Sequence, residues 1–152
     1  MAYCFSFKLR RYLKNNKIKY DVAYIKRLRL VQYKKYINAD KKYIDITDSL
    51  TKYYERLYKN EKTIKKLFYL EEYIKLKKYE IKICEENENI IICSEDDKKY
   101  IEKVSPKTRG HINVIENVLD VSKWKKENIQ VKEKGKRTNL VFMGVMDYKP
   151  NV

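Results

Sequence analysis

The chain has one histidine, three glycines, two prolines, one tryptophan and three cysteines in 152 residues. A lone histidine, His111, rules out a multi-histidine metal centre. The cysteines, Cys4, Cys84 and Cys93, are odd in number and far apart, which fits free thiols in a reducing compartment better than a disulfide framework or a zinc site. No apolar run approaches the ~18 residues of a spanning helix. Residues 1–11 lack the apolar core and cleavage site of a signal peptide. No Gly-x-Ser-x-Gly nucleophile motif accompanies His111, so a structural role is expected for it. The expectation from these absences is a cytoplasmic chain with no metal ligands and no catalytic group complete within it.

Acidic residues are also scarce, 21 against 36 Lys and Arg, for a net charge of +15. The excess is uneven: residues 1–35 hold eleven basic side chains and one acid, Asp21. Such a patch meets either nucleic-acid phosphates or anionic lipid headgroups. Lysine, isoleucine, asparagine and tyrosine also share AT-rich codons, a bias that raises the basic count without any function. What remains, 43% hydrophobic and 38% charged residues, is globular composition sufficient for one core.

Periodicity supplies the elements. Phe5, Leu9, Tyr12 and Leu13 recur at helical spacing among Lys8, Arg10, Arg11 and Lys14, predicting a basic amphipathic helix over 1–15. Its apolar side either packs on the sheet or lies in a membrane interface. A strand is expected at 20–25, a second basic helix at 27–36 and a strand at 42–46. Asp48 or Ser49 then caps a long helical stretch through Tyr53, Leu57, Ile64, Leu67, Phe68, Ile74 and Ile81, with a break near Asn60. Ile90, Ile91, Ile92 and Cys93 form an uninterrupted β-branched run, as in a strand buried on both faces. Ser94-Glu95-Asp96-Asp97 opens a helix ending before Pro106, and 111–115 supplies a further strand.

The order βαβαβαβ predicts an α/β fold, a partial doubly wound parallel sheet with helices on both faces. Ligands in such sheets collect beyond the carboxyl ends of the strands. The residues expected there are Thr47, Asp48 and Ser49, then Ser94 and Glu95, Glu116 and Asn117, and Gly144 and Val145.

Taken in order, Tyr20-Asp21-Val22-Ala23-Tyr24, Tyr43-Ile44-Asp45-Ile46-Thr47-Asp48-Ser49, Tyr79-Glu80, Ile91-Ile92-Cys93-Ser94-Glu95-Asp96-Asp97 and Val114-Ile115-Glu116-Asn117-Val118-Leu119-Asp120 form a recognisable series. It closes with Val141-Phe142-Met143-Gly144-Val145-Met146-Asp147-Tyr148-Lys149-Pro150-Asn151. The series resembles the middle of a bacterial glycosyltransferase of family 4, the GT-B type, and within it the sugar transferases of cell-surface polysaccharide assembly. Where the family usually carries Pro-Asn-Gly-Val-Asp, this chain has Glu116-Asn117-Val118-Leu119-Asp120.

The resemblance implies three regions. Residues 1–117 correspond to part of the acceptor-side Rossmann-like domain, and 118–137 to the interdomain crossover. Residues 138–152 correspond to the first strand and glycine turn of the donor-binding domain, with Gly144 and Val145 in the donor loop. The implied reaction moves a sugar from a nucleotide-sugar donor to a lipid-linked or polysaccharide acceptor. The residues that hold the donor diphosphate in the family have no counterpart in this sequence, so the chain resembles a fragment truncated at both ends and is expected to be inactive alone. Its expected partners are the nucleotide sugar and a glycan or lipid-linked acceptor in the full-length enzyme, a second chain supplying the missing domain, and an anionic membrane surface. The membrane contact would place Lys8, Arg10, Arg11 and Lys14 at the inner face of the plasma membrane, while the resemblance assigns Asp48, Ser49, Glu116 and Asn117 to the acceptor-side cleft. The alternative from charge and tyrosine content is a small basic nucleic-acid-binding protein.

Overall fold

The computed structural model describes residues 5–120 and 122. The chain divides into two compact units, Met1–Asn117 and Val118–Val152, and the first is the one described below. The expected crossover at 118–137 and the strand and turn at 138–152, with Gly144 and Val145, lie outside the described residues except for 118–120 and 122.

The described elements are α1 (Phe7–Asn15), β1 (Tyr20–Lys26), a 3-10 helix (Leu28–Tyr36), β2 (Ala39–Thr47), α2 (Leu50–Asn60), α3 (Lys65–Glu85), β3 (Ile90–Ile92), α4 (Glu95–Val104), a 3-10 turn (Pro106–Thr108) and β4 (Ile112–Val114). Three helices start on a serine whose hydroxyl accepts a first-turn N–H: Ser6 from Leu9, Ser49 from Lys52, and Ser94 from Asp96 and Asp97. Each such cap is worth ~1 kcal/mol. Glu95, Asp96 and Asp97 in the first turn of α4 add charge that complements the helix dipole.

The segment expected as an α-helix over 27–36 is a 3-10 helix instead. It has to run back along the seven-residue β1 before β2 begins at Ala39. A 3-10 helix rises about 2.0 Å per residue against about 1.5 Å for an α-helix, so the short connection reaches further.

The four strands are all parallel, in the order β1-β2-β3-β4. Every crossover therefore steps the same way, and crossovers of one hand then lie on one face. Burial agrees with this. Ala23, Ile25, Ile44, Ile46, Ile90, Ile92 and Ile112 are buried on one side of the sheet. There they join Leu28 and Val31 of the 3-10 helix, Ile83 and Cys84 of α3 and Ile101 of α4 in a single core. On the alternate positions Val22 and Tyr24 of β1 are exposed, as is Asn113 of β4. The expectation of helices on both faces is corrected for the described strands: strand order decides sidedness, and the alternation of elements along the chain carries no strand order.

Two further expectations change. Ile64, Leu67, Phe68 and Ile74 keep helical spacing but are exposed, because the core begins only at Leu76 of α3. The part of α3 before it packs on α2 through rings, Tyr54 near Tyr69 at 6.4 Å and Tyr58 stacked on Tyr73 at 5.5 Å. The second change concerns α1, which buries no residue and rests on the 3-10 helix rather than on the sheet. Phe5 stacks on Tyr33 at 6.2 Å, and the Ser6 N–H donates to the Tyr33 hydroxyl.

Candidate functional site

The carboxyl ends of β1, β2 and β3 bring polar groups together around two strained backbone positions. Arg27 (φ 77°) and Thr47 (φ 63°) are the two non-glycine residues with positive φ among the described residues. A β-branched residue in this region is a conformational outlier that costs on the order of 1–3 kcal/mol. Asp45 holds both positions. Its backbone C=O accepts from Arg27 N–H at 2.6 Å. Its carboxylate Oδ1 accepts from Thr47 N–H at 2.8 Å and from Thr47 Oγ1 at 3.2 Å. The register of β2 against β3 slips at the same place, and Cys93 N–H donates to Thr47 C=O at 2.9 Å.

The Tyr24 hydroxyl donates to the other oxygen of Asp45, a hydrogen bond that pushes the phenol up to about 12. Burial and the nearby Asp45 and Asp48 carboxylates likewise hold the Cys93 thiol above its usual range. Its Sγ lies 3.7 Å from Asn117 Oδ1. Asp48 is lifted above the ordinary carboxylate range by partial burial first, then by Asp97 and Asp45. The edge thus offers hydrogen-bond donors and acceptors of restrained geometry. Its thiol and phenol are held protonated, and a protonated thiol is a poor nucleophile.

One step inward, the polar groups belong to the framework. Glu80 of α3 is fully buried and receives Ser49 Oγ at 2.8 Å, Leu50 N–H at 2.9 Å and Thr51 N–H at 3.2 Å. Burial raises its pKa, while the bonds from Thr51, Ser49 and Leu50 pull the other way. This carboxyl ties the start of α2 to α3. Lys52 bridges to Asp96 and to Asp97, the latter at 2.7 Å, and Asp97 also accepts the Ser49 N–H at 2.9 Å. His111 sits 2.9 Å through Nδ1 from the Cys84 carbonyl, a structural contact.

Of the residues expected in the cleft, Asp48 and Asn117 stand at this edge and Glu116 is exposed beside Asn117. Ser49 is 2% exposed and committed to capping α2, so it is a framework residue rather than a free site group. Sequence reasoning missed Tyr24 and Asp45, although an aspartate between Ile44 and Ile46 in an apolar strand is itself a signal. It had no means of finding the Lys52, Asp96 and Asp97 cluster, whose members are 44 and 45 residues apart.

The basic patch on α1 divides in two. Arg10 and Lys14 lie over the Tyr36 ring, 5.7 and 5.6 Å from its centroid, while Lys8 and Arg11 line a shallow groove with Tyr12. Phe7 is 76% and Tyr12 65% exposed on the same helix. No described helix is long and apolar enough to cross a membrane. Among the described residues no group of three or more His, Cys, Asp or Glu converges as a metal site would.

Comparison of the chain with protein-family models, curated proteins and solved structures finds no match in any of the three.

Proposed function

We propose that the chain is the acceptor-side part of a family 4 glycosyltransferase of the GT-B type. In that reading it takes part in transfer from a nucleotide sugar to a lipid-linked or polysaccharide acceptor, and is catalytically silent by itself. The observation that supports this best is the carboxyl edge of the parallel sheet. Asp48 and Asn117 flank a strained, carboxylate-braced turn there, with no thiol or phenol activated for attack. Carboxylates and amides accept hydrogen bonds from sugar hydroxyls, whereas a leaving diphosphate calls for cations. The edge suits a hydroxyl-rich acceptor, and the donor requires groups from elsewhere. The one-sided stacking of crossovers on the described strands also fits part of a doubly wound domain.

The test is a titration of the purified 152-residue chain, watched by NMR, with glycan and lipid-linked acceptors, alongside a nucleotide-sugar hydrolysis and transfer assay. The expected result is shifts at Tyr24, Asp48 and Asn117 with no turnover. Turnover by the chain alone refutes the silent part of the reading, and the absence of shifts at that edge refutes the acceptor part.

The same reading includes peripheral contact of α1 with an anionic membrane on the cytoplasmic side. Its support is a helix with no buried residue, on which Phe7 and Tyr12 are exposed beside Lys8 and Arg11. Flotation with anionic but not neutral liposomes, reduced in Phe7→Ser, is the expected outcome. Steeply salt-dependent RNA binding without flotation would favour the nucleic-acid alternative instead.

A further inference from the structure

At the opposite, amino end of the sheet a cleft of about 520 Å³ opens between the 3-10 helix, the start of β2 and the end of α3. Four lysines line it: Lys34 and Lys35 from the 3-10 helix, Lys42 from β2 and Lys82 from α3. The carboxylate in the lining, Glu86, is paired with Lys82 at 3.8 Å. Lys34, Lys35 and Lys42 have neutral partners. Lys34 Nζ donates to Asn87 Oδ1, and the buried Asn87 is itself locked by a 2.6 Å bond from Nδ2 to the Ile83 carbonyl. Lys42 Nζ donates to the Lys34 carbonyl at 3.5 Å, and Lys35 Nζ lies 5.2 Å from the Tyr36 ring centroid. Among the described residues none of the three has an ion pair.

We propose that this cleft is a binding site for a phosphomonoester or diphosphate group, carried by a small soluble molecule or by a lipid headgroup. Four lysines against the single carboxylate of Glu86 leave an excess of positive charge that opposes folding, and a bound anion reduces that cost. Three features of the lining favour a specific site over diffuse attraction. Asn87 fixes the direction of Lys34, and Lys42 is held half-buried beside it. Burial first, and then the Lys42 charge, keeps Lys34 below the usual lysine range, the state that a phosphate would relieve. Val31, Tyr79 and Ile83 complete the lining, and burial holds the Tyr79 phenol protonated as a neutral donor. The volume is within the range of small-ligand sites.

The probe is inorganic pyrophosphate, titrated calorimetrically into the full chain at fixed ionic strength. Lys35 and Lys82 are exposed, so Lys35→Gln and Lys82→Gln remove one charge each and leave the core untouched. Saturable one-site binding is expected, weakened about tenfold by either variant, the scale of one charge-assisted bond. The double variant Lys62→Gln/Lys66→Gln, on exposed residues away from the cleft, is expected to stay within about twofold of the parent chain. A second arm compares vesicles carrying phosphatidic acid with vesicles carrying phosphatidylglycerol at matched surface charge. A preference for phosphatidic acid that depends on Lys35 and Lys82 assigns the ligand to a lipid headgroup, and pyrophosphate binding without that preference assigns it to a soluble phosphate. Binding that is absent with both probes, unchanged in the cleft variants, or reduced equally in the distant double variant overturns the proposal.

Discussion

Replacing Glu80 tests how the β2–α2 junction is held. In Glu80→Ala the Ser49 hydroxyl and the Leu50 and Thr51 amides all lose their acceptor. Ser49 is 2% and Thr51 0% exposed, so water does not reach them without opening the structure. An orphaned buried donor costs about 1–3 kcal/mol, and removing one member of a buried charged network about 3–5 kcal/mol. The removed desolvation cost of the carboxyl offsets part of this, and about 4 kcal/mol is the expected net loss. With an unfolding entropy of roughly 0.25 kcal/mol per degree for a unit of about 115 residues, the midpoint falls by about 16 °C. Glu80→Gln keeps the volume and one acceptor oxygen but turns an amide N–H of its own toward a donor. Its expected loss is about 2 kcal/mol, or about 8 °C.

The assay is thermal unfolding by circular dichroism together with amide exchange at Leu50 and Thr51. The two amides should exchange far faster in Glu80→Ala, with β3 protected to the level of the remaining global stability. A midpoint within about 3 °C of the parent chain, or unchanged protection at Leu50 and Thr51, would refute the reasoning. Either result would mean that α2 finds its own cap without α3.

Ile92 is fully buried at the centre of the core, and Ile92→Ala should cost about 3–4 kcal/mol, read from the denaturant midpoint with an unchanged slope. Asp48→Asn should stabilise the chain slightly at pH 7, by no more than about 0.5 kcal/mol. Because the folded pKa of Asp48 is raised, its favourable contribution is present at low pH and is lost as pH rises through that folded value. The variant's advantage should therefore vanish in melts below the ordinary aspartate pKa, and persistence there would show that the cost of ionising Asp48, from burial first and then from Asp97 and Asp45, is not the cause. Gly110 has φ +83° with nothing within 4 Å of a built Cβ, so Gly110→Ala should lose about 1 kcal/mol from backbone strain alone, and an unchanged melt would contradict it.

The elements legible in the sequence are those fixed by local physics. The run Ile90–Ile92 is a strand because β-branched side chains fit a pleated surface, and Ser49 and Ser94 start helices because their hydroxyls reach first-turn amides. The same spacing rule that found α3 could not say how much of it is covered. Ile64, Leu67 and Phe68 have the periodicity of a core face and stay in solvent, since periodicity reports that a face exists and not what lies against it. The site was legible as an edge and not as a constellation. Asp48 and Asn117 follow from reading where strands end, whereas the bond from Arg27 to Asp45 requires β1 and β2 in register, and the Glu80 cap joins residues 31 positions apart.

The two ends of the sheet gather different charged groups, and that difference bears on what each can bind. Asp45, Asp48 and Asp97 gather at the carboxyl end, where burial first, and then Asp97 and Asp45, raise the cost of ionising Asp48. Lys34, Lys35, Lys42 and Lys82 gather at the amino end, where burial first, and then Lys42, lower the Lys34 pKa while Glu86 pulls the other way. Lys42 and Asp45 stand three residues apart on β2, roughly 10 Å along the strand, with their side chains on opposite faces of the sheet. That spacing is close to the Debye length of about 8 Å at physiological salt, so screening weakens the attraction between the two clusters without abolishing it. A phosphate approaching the carboxyl end meets three aspartates beside Lys26 and Arg27, and one approaching the amino end meets four lysines against the one carboxylate of Glu86, which pairs with Lys82. The net charge of +15 is therefore a poor guide to the site expected from the strand ends, because three aspartates converge there. The excess of lysines over carboxylates at the amino end and the converging aspartates at the carboxyl end are why the phosphate cleft is assigned to the one and the acceptor role to the other.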